Sequence, residues 1–314
     1  MRRKWACRKC IPMLERYLTY IRNIRRYSPR TCEAYRTVLE DYRDFAGPFP
    51  ASLTIPALRS YEVELLDTRK MHPRTVCLHI SVLSGFCRFL MKEGVLTGNP
   101  ARLLQRPKVD KRLPEFYRAE SLAEYFRKTE ADVADGSYER RLARLVISLL
   151  ANTGIRRAEL IALRISSVDF SRGVLHVRGK GDKMREIPLI PSLCSEISLY
   201  LNAASSLMDT SDLSAALLRT PKGAPLYPVW VDRTVKRELG SVKEVTVRKS
   251  PHVLRHTLAT ELLGDGADMN AIKELLGHAS LAATQIYTHN SIGRLQKVYN
   301  QAHPRAKNGG KNGD

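Results

Sequence analysis

The sequence lacks any run approaching the ~18 consecutive apolar residues that a membrane span needs. It also lacks a Gly-x-x-x-x-Gly-Lys-Ser/Thr loop, which argues against a motor that hydrolyses ATP or GTP. Cysteine is sparse, with six in 314 residues: Cys7, Cys10, Cys32, Cys77, Cys87 and Cys194. A chain of this length has no need of disulfide staples, so these read as reduced thiols of a cytoplasm. Cys7-x-x-Cys10 has no second Cys or His pair at finger spacing, which argues against zinc there. The basic stretch Met1 to Cys10 is followed by Glu15, Arg16, Arg22, Arg25 and Arg26 instead of an apolar segment, so the reading is not a secretory one.

Negative charge is the other scarcity. Lys+Arg number 52 against 32 Asp+Glu, a net +20 with a pI near 9.9. Residues 1 to 112 hold 23 Lys+Arg and 10 Asp+Glu, or +13, which leaves +7 for residues 113 to 314. Polyanions are the natural partners of such a surface. No single amphipathic helix or lipidation motif gathers the charge, so a membrane partner is not expected. The length suggests two domains.

Residues 11 to 104 read as helical. Ile11, Leu14, Tyr17, Leu18 and Ile21 share a helix face. Ser28 is placed to cap a second helix, with Pro29 at its first position and Tyr35, Val38, Leu39, Tyr42 and Phe45 as its stripe. Helices are predicted over Ile55–Leu66 and Pro73–Lys92. The domain is assigned residues 1–105, and the charged, proline-bracketed stretch 106–114 is the linker. In the second domain, 115–303, a periodic helix over Tyr138–Ala151 ends at Asn152-Thr153-Gly154, and another spans Ala158–Leu163. Alternation then predicts a β-hairpin, Val174–Val177 and Glu186–Ile190 around Gly179-Lys180-Gly181-Asp182. Helices return at Leu193–Ala203 and from Val253 onward, and the Gly/Lys/Asn tail 304–314 is expected to be disordered. The fold expected is mainly α with a small β-hairpin or sheet.

Chemistry-bearing residues crowd into Pro251–Asn290. His252, Arg255 and His256 sit at i, i+3 and i+4, Gly277-His278 follows a helix, and Tyr287-Thr288-His289 closes the segment. His252, His256 and His278 could supply three metal ligands, but the metalloprotease pattern needs Glu where Val253 stands, and Arg255 would set a cation beside a cation. The alternative is an anion site, since a guanidinium matches phosphate oxygens and imidazoles add donors. Leu254–Leu263 and Met269–Leu276, joined by a turn, also fit a helix-turn-helix of a non-catalytic DNA-binding regulator.

Five boxes, Thr153-Gly154-Ile155-Arg156-Arg157-Ala158-Glu159-Leu160, Gly179–Arg185, His252–Thr257, Leu276–Ser280 and Tyr287-Thr288-His289, resemble in order and spacing those of the tyrosine recombinase (phage integrase) family. Tyr27–Phe45 and Glu93–Ala101 are similar to its helical core-binding domain. Lys111-Arg112-Leu113-Pro114 and Tyr299–Arg305 look most like the bacterial XerC/XerD branch, whereas the basic Met1–Cys10 is a departure that leaves open an integrase or transposase of a mobile element.

The resemblance implies a two-domain DNA clamp, a helical SAM-like core-binding domain plus an α+β catalytic domain, that recombines double-stranded DNA at specific sites. It implies that Arg156 and Arg255 clamp the scissile phosphate, Lys180 protonates the leaving 5′-hydroxyl, His252 assists proton transfer with the nucleophile, His278 donates to a phosphate oxygen and Tyr287 attacks. Glu159 would orient the site arginines, Arg157 would contact phosphate or lie on the surface, and Lys183 and Arg185, in the same loop as Lys180, are alternative proton donors or plain phosphate contacts. No nucleotide or metal cofactor is implied. The implied assembly is a homo- or hetero-tetramer on two sites, in the cytoplasm and associated with the nucleoid. Ile292, Leu295, Val298 and Tyr299, at helical spacing, need a surface to cover them, either their own catalytic domain or, as the resemblance favours, a neighbouring protomer.

Overall fold

The computed structural model describes residues 12–109, 116–134, 136–179, 182–206, 209–240 and 248–277. The Met1–Cys10 extension, the Ser291–Gln301 segment and the tail lie outside the described residues. The chain divides into two compact units, 1–112 and 113–314.

The first unit is built of helices whose ends are written in capping chemistry. α1 (Met13–Asn23) buries Leu14, Tyr17, Leu18 and Ile21. α2 (Pro29–Ala46) starts where the Ser28 side chain accepts from the Thr31 amide and Pro29 fills the first position, which has no need of an N–H. Its inward stripe is Cys32, Val38, Leu39 and Tyr42; Phe45 is 40% exposed and instead lays its ring 5.3 Å from that of Tyr61. α3 (Ile55–Val63) is shorter than the sequence pattern suggests, because it widens into a π-helical turn, Glu64–Thr68, in which Leu65 is buried. α4 (Pro73–Lys92) runs through the core with Val76, Ile80, Leu83, Phe86, Cys87 and Leu90. By length and composition it could cross a membrane, but its apolar face is the centre of this unit's core.

The second unit is organised around one buried helix. α5 (Ala119–Lys128) and the short α6 (Ala131–Ala134) precede α7 (Tyr138–Thr153), in which every residue from Leu142 to Thr153 is buried. Gly154 ends α7 in the left-handed conformation at φ 60°. α8 (Arg157–Ala162) follows, then a three-stranded antiparallel sheet in the order β1 (Val168–Asp169), β2 (Val174–Arg178), β3 (Met184–Pro188). The two-residue β1 is too short to show as alternation in the sequence. Val177 pairs with Arg185 and Leu175 with Ile187, so these four side chains share the buried face. α9 (Pro191–Ala204), α10 (Pro228–Glu238) and α11 (Pro251–Gly264) all pack on α7, and α12 (Met269–Leu276), capped by the Asp268 carboxylate, packs on α11 and β3. Among the described residues all four cysteines, Cys32, Cys77, Cys87 and Cys194, are free thiols.

Candidate active site

Three arginines from three elements converge on the end of α12. A helix leaves its last carbonyls without intrahelical partners and carries partial negative charge there. Arg185 Nε, on β3, donates to the Leu275 carbonyl at 3.0 Å. Arg255 Nη2, on α11, donates to the Leu276 carbonyl. Arg156 Nη2, just ahead of α8, donates to the Gly277 carbonyl at 3.0 Å. Three successive carbonyls thus each receive a different guanidinium. Gly277 stands in the left-handed conformation at φ 64°, and a Cβ there would lie 3.1–3.3 Å from the Arg185 guanidinium.

Among the described residues one carboxylate, Glu159, pairs with two of these three cations. Glu159 Oε2 accepts from the Arg156 amide at 2.8 Å as the third residue of α8 does in a capping box, and Oε1 accepts from Arg156 Nη1 at 2.7 Å. The same carboxylate takes a forked pair from Arg185, Nη1 to Oε1 at 3.1 Å and Nη2 to Oε2 at 2.7 Å. Burial pushes the Glu159 carboxyl up, but the hydrogen bonds from Arg185 and from the Arg156 amide outweigh it and hold it at about 2. It is an anion throughout the neutral range.

Arg255 has no such partner. It is 8% exposed, donates to the Gly154 carbonyl at 2.6 Å and to Leu276, and no carboxylate of the described residues lies within ion-pair distance. Desolvation and then the nearby Arg156 charge draw it down to about 10, against the pull of Glu159, so it stays protonated at neutral pH. A buried cation held only by carbonyls is expensive unless an anion completes its shell. Arg156, with a third of its side chain exposed, is the open side of the cluster.

Of the residues singled out from the sequence, Arg156 and Arg255 are therefore brought to one helix end. His252 lies on α11 three residues before Arg255, with its side chain exposed, and His256 is half-buried. Arg157 pairs with Asp232 on α10 and keeps 28% of its side chain exposed. Arg185 is corrected: it is not a loop residue free to donate a proton but a buried member of β3, 5% exposed. Lys183 is exposed in the turn. Lys180, His278 and Tyr287 lie outside the described residues. The inward turn of Arg185 is the feature that sequence reasoning missed, although it alternates with the buried Ile187.

Residues 126–294 match the Phage integrase family and residues 14–94 match the N-terminal SAM-like domain of phage integrase. The chain belongs to the phage integrase family. As a member of it the chain is a tyrosine site-specific recombinase, and the reading as a non-catalytic regulator falls. α11 and α12 do form a helix pair, but α11 is packed on α7 and delivers Arg255 to the cluster. Tyrosine recombinase XerC of Chlorobaculum parvum is 33% identical, covering 93% of this chain and 94% of its own length. Tyrosine recombinase XerD of Staphylococcus aureus is 30% identical over 94% of this chain and 99% of its own. The Tn1549 transposon integrase, solved in complex with circular intermediate DNA, shares the fold with a TM-score of 0.64 at 19% identity, covering 91% of this chain and 99% of that one.

Proposed function

We propose that this recombinase cleaves and rejoins duplex DNA through a 3′-phosphotyrosine intermediate and acts in Xer-type chromosome dimer resolution. The observation that carries the reading is the convergence of Arg156 and Arg255 on one helix end, in a cluster of three guanidinium groups and one carboxylate. A phosphodiester is the anion such a cluster is short of.

In this reading the Tyr287 hydroxyl attacks the scissile phosphorus with His252 assisting the transfer of its proton. Arg156 and Arg255 donate to the non-bridging oxygens, where charge grows in the transition state, and His278 donates to one of them. The bond from phosphorus to the 5′-oxygen breaks, and that oxygen takes its proton from Lys180. Religation reverses the step: a 5′-hydroxyl attacks the phosphotyrosine and Tyr287 leaves. The phosphodiester energy is kept in the protein–DNA bond, so neither nucleotide nor metal is consumed.

Residues 1–105 serve as the core-binding domain, 106–114 as linker and 115–303 as the catalytic domain. Four protomers, of this chain alone or shared with a second recombinase, act on two sites in the cytoplasm at the nucleoid. The basic Met1–Cys10 extension favours a second reading, the same chemistry in the service of a mobile element.

The test is incubation with a library of nicked duplexes, in which the cut strand is lost and the covalent adduct accumulates. Wild type is expected to give a denaturant-resistant adduct, and Tyr287→Phe to keep DNA binding without it. Sequencing the trapped DNA separates the two roles, a chromosomal site for one and element ends for the other. A normal adduct yield from Tyr287→Phe overturns the assignment of the nucleophile.

A further inference from the structure

Arg185 is placed by the pleat of the hairpin. Opposite Val177 and two residues before Ile187, it must point to the buried face, where an unpaired charge is not tolerated. Its planar fork is accordingly filled, with Nη1 and Nη2 on Glu159 and Nε on the Leu275 carbonyl. One glycine makes the room: a Cβ at Gly277 would lie 3.1 Å from Arg185 Nη1.

A buried ion pair of this kind is poor value as a source of stability, because desolvating both charges offsets their attraction. What it does supply is fixed geometry. Through Glu159 it reaches Arg156, and through Leu275 it reaches the helix end that Arg156 and Arg255 also grip. We infer that Arg185 is a positioning residue for strand cleavage, which locks Glu159 and the end of α12 to the hairpin so that Arg156 is held in the orientation that receives the phosphate. This rests on the proposed cleavage chemistry. Arg185 does not touch DNA and gives up no proton.

Among the described residues the charged groups facing Glu159 are Arg156 from its own helix turn, Arg185 from β3 and Arg255 from α11. Without Arg185 the hydrogen bonds and charge that contribute most against burial are gone, only those of Arg156 remain, and the Glu159 carboxyl moves up from about 2. Once protonated it loses its hold on Arg156. A misplacement of the order of 1 Å at a reacting centre costs on the order of 100-fold in rate.

The experiment uses the full chain as wild type, Arg185→Met, Arg185→Lys and the double variant Arg185→Met/Glu159→Gln. Adduct formation on a nicked duplex is followed from pH 5.5 to 8.5, together with DNA affinity. Arg185→Met is expected to cleave roughly 10- to 100-fold more slowly, with affinity nearly unchanged and with an acid-side fall in rate that wild type lacks. Arg185→Lys keeps the charge without the fork and should recover part of the rate. The double variant has no carboxylate to titrate and should show no acid-side fall. Carbon-13 NMR of the Glu159 carboxyl reads the same coupling without DNA: it should titrate at higher pH in Arg185→Met than in wild type. If wild type forms no adduct while the NMR shift is seen, the cleavage reading fails and the coupling stands. An unchanged Glu159 titration, or a slowed rate with the wild-type pH profile, overturns the inference and leaves Arg185 as packing alone.

Discussion

Replacing Gly154 by alanine perturbs the joint where α7 hands the chain to Arg156. Gly154 is left-handed at φ 60°, a conformation that costs an alanine about 1–2 kcal/mol. The added Cβ would stand 2.7 Å from Leu276 Cδ2 and 3.0 Å from Leu258 Cδ2, well inside the ~3.5–4.0 Å of ordinary carbon contact. Both leucines are buried, at 3% and 1% exposure, so neither can swing aside into solvent. Overpacking of this kind costs about 1–3 kcal/mol. Together the expected loss is about 2–5 kcal/mol. At about 2–4 °C per kcal/mol for a unit of this size, Tm should fall by roughly 4–20 °C. Because the Gly154 carbonyl also accepts from Arg255, DNA cleavage should fall with stability. Thermal and urea unfolding followed by circular dichroism measure the first, and the nicked-duplex adduct the second. A stability change under about 0.5 kcal/mol, the range of an ordinary surface substitution, would show that α7, α11 and α12 are not packed around Gly154 as described.

Three further outcomes follow from separate parts of the molecule. Glu261 on α11 is pushed up to about 7 by burial, then by Asp265 and Glu120; a carboxyl raised in the folded state supports stability below its unfolded value of 4.5 and withdraws it as pH rises through 7. The full shift corresponds to about 3 kcal/mol, reduced by partial exposure to about 1–2 kcal/mol, so Glu261→Gln should be the more stable protein at pH 8 and equal to wild type near pH 4.5. Lys180→Ala should be inactive on ordinary DNA and substantially rescued on a 5′-bridging phosphorothiolate, whose sulfur leaves without a proton; no rescue moves the acid elsewhere. The +13 of residues 1–112 should make duplex binding steeply salt-dependent, each neutralised phosphate adding about −0.9 to the slope of log K against log salt, and a flat dependence would mean that this charge is merely solvated.

Helix ends were legible where chemistry marks them. Ser28-Pro29 and Gly154 fall where capping rules put them, and α4 runs over Pro73–Lys92 as its stripe predicts. α10 was invisible because its inward face, Val231, Thr234 and Val235, includes a polar residue and is too brief for a period to emerge. α5 does carry a readable stripe, Leu122, Tyr125 and Phe126, though over a single short helix. In the site, Arg156 and Glu159 could be paired from their i, i+3 spacing, whereas the links from Arg185 to Glu159 and Leu275 span 26 and 90 residues. No local pattern reports such a contact. The pleat does report the face, and a charged residue alternating with Ile187 is the signal for a buried arginine in search of a partner.

The central claim is that the arginine cluster presents a phosphodiester to Tyr287. Trapping the adduct on a nicked duplex, digesting protein and DNA, and sequencing the nucleotide-bearing peptide by mass spectrometry tests it most directly. The account predicts a 3′-phosphonucleotide on Tyr287 alone, with the yield abolished in Arg156→Ala and Arg255→Ala. A nucleotide on Tyr299 or on a serine, or an undiminished yield without either arginine, would contradict it.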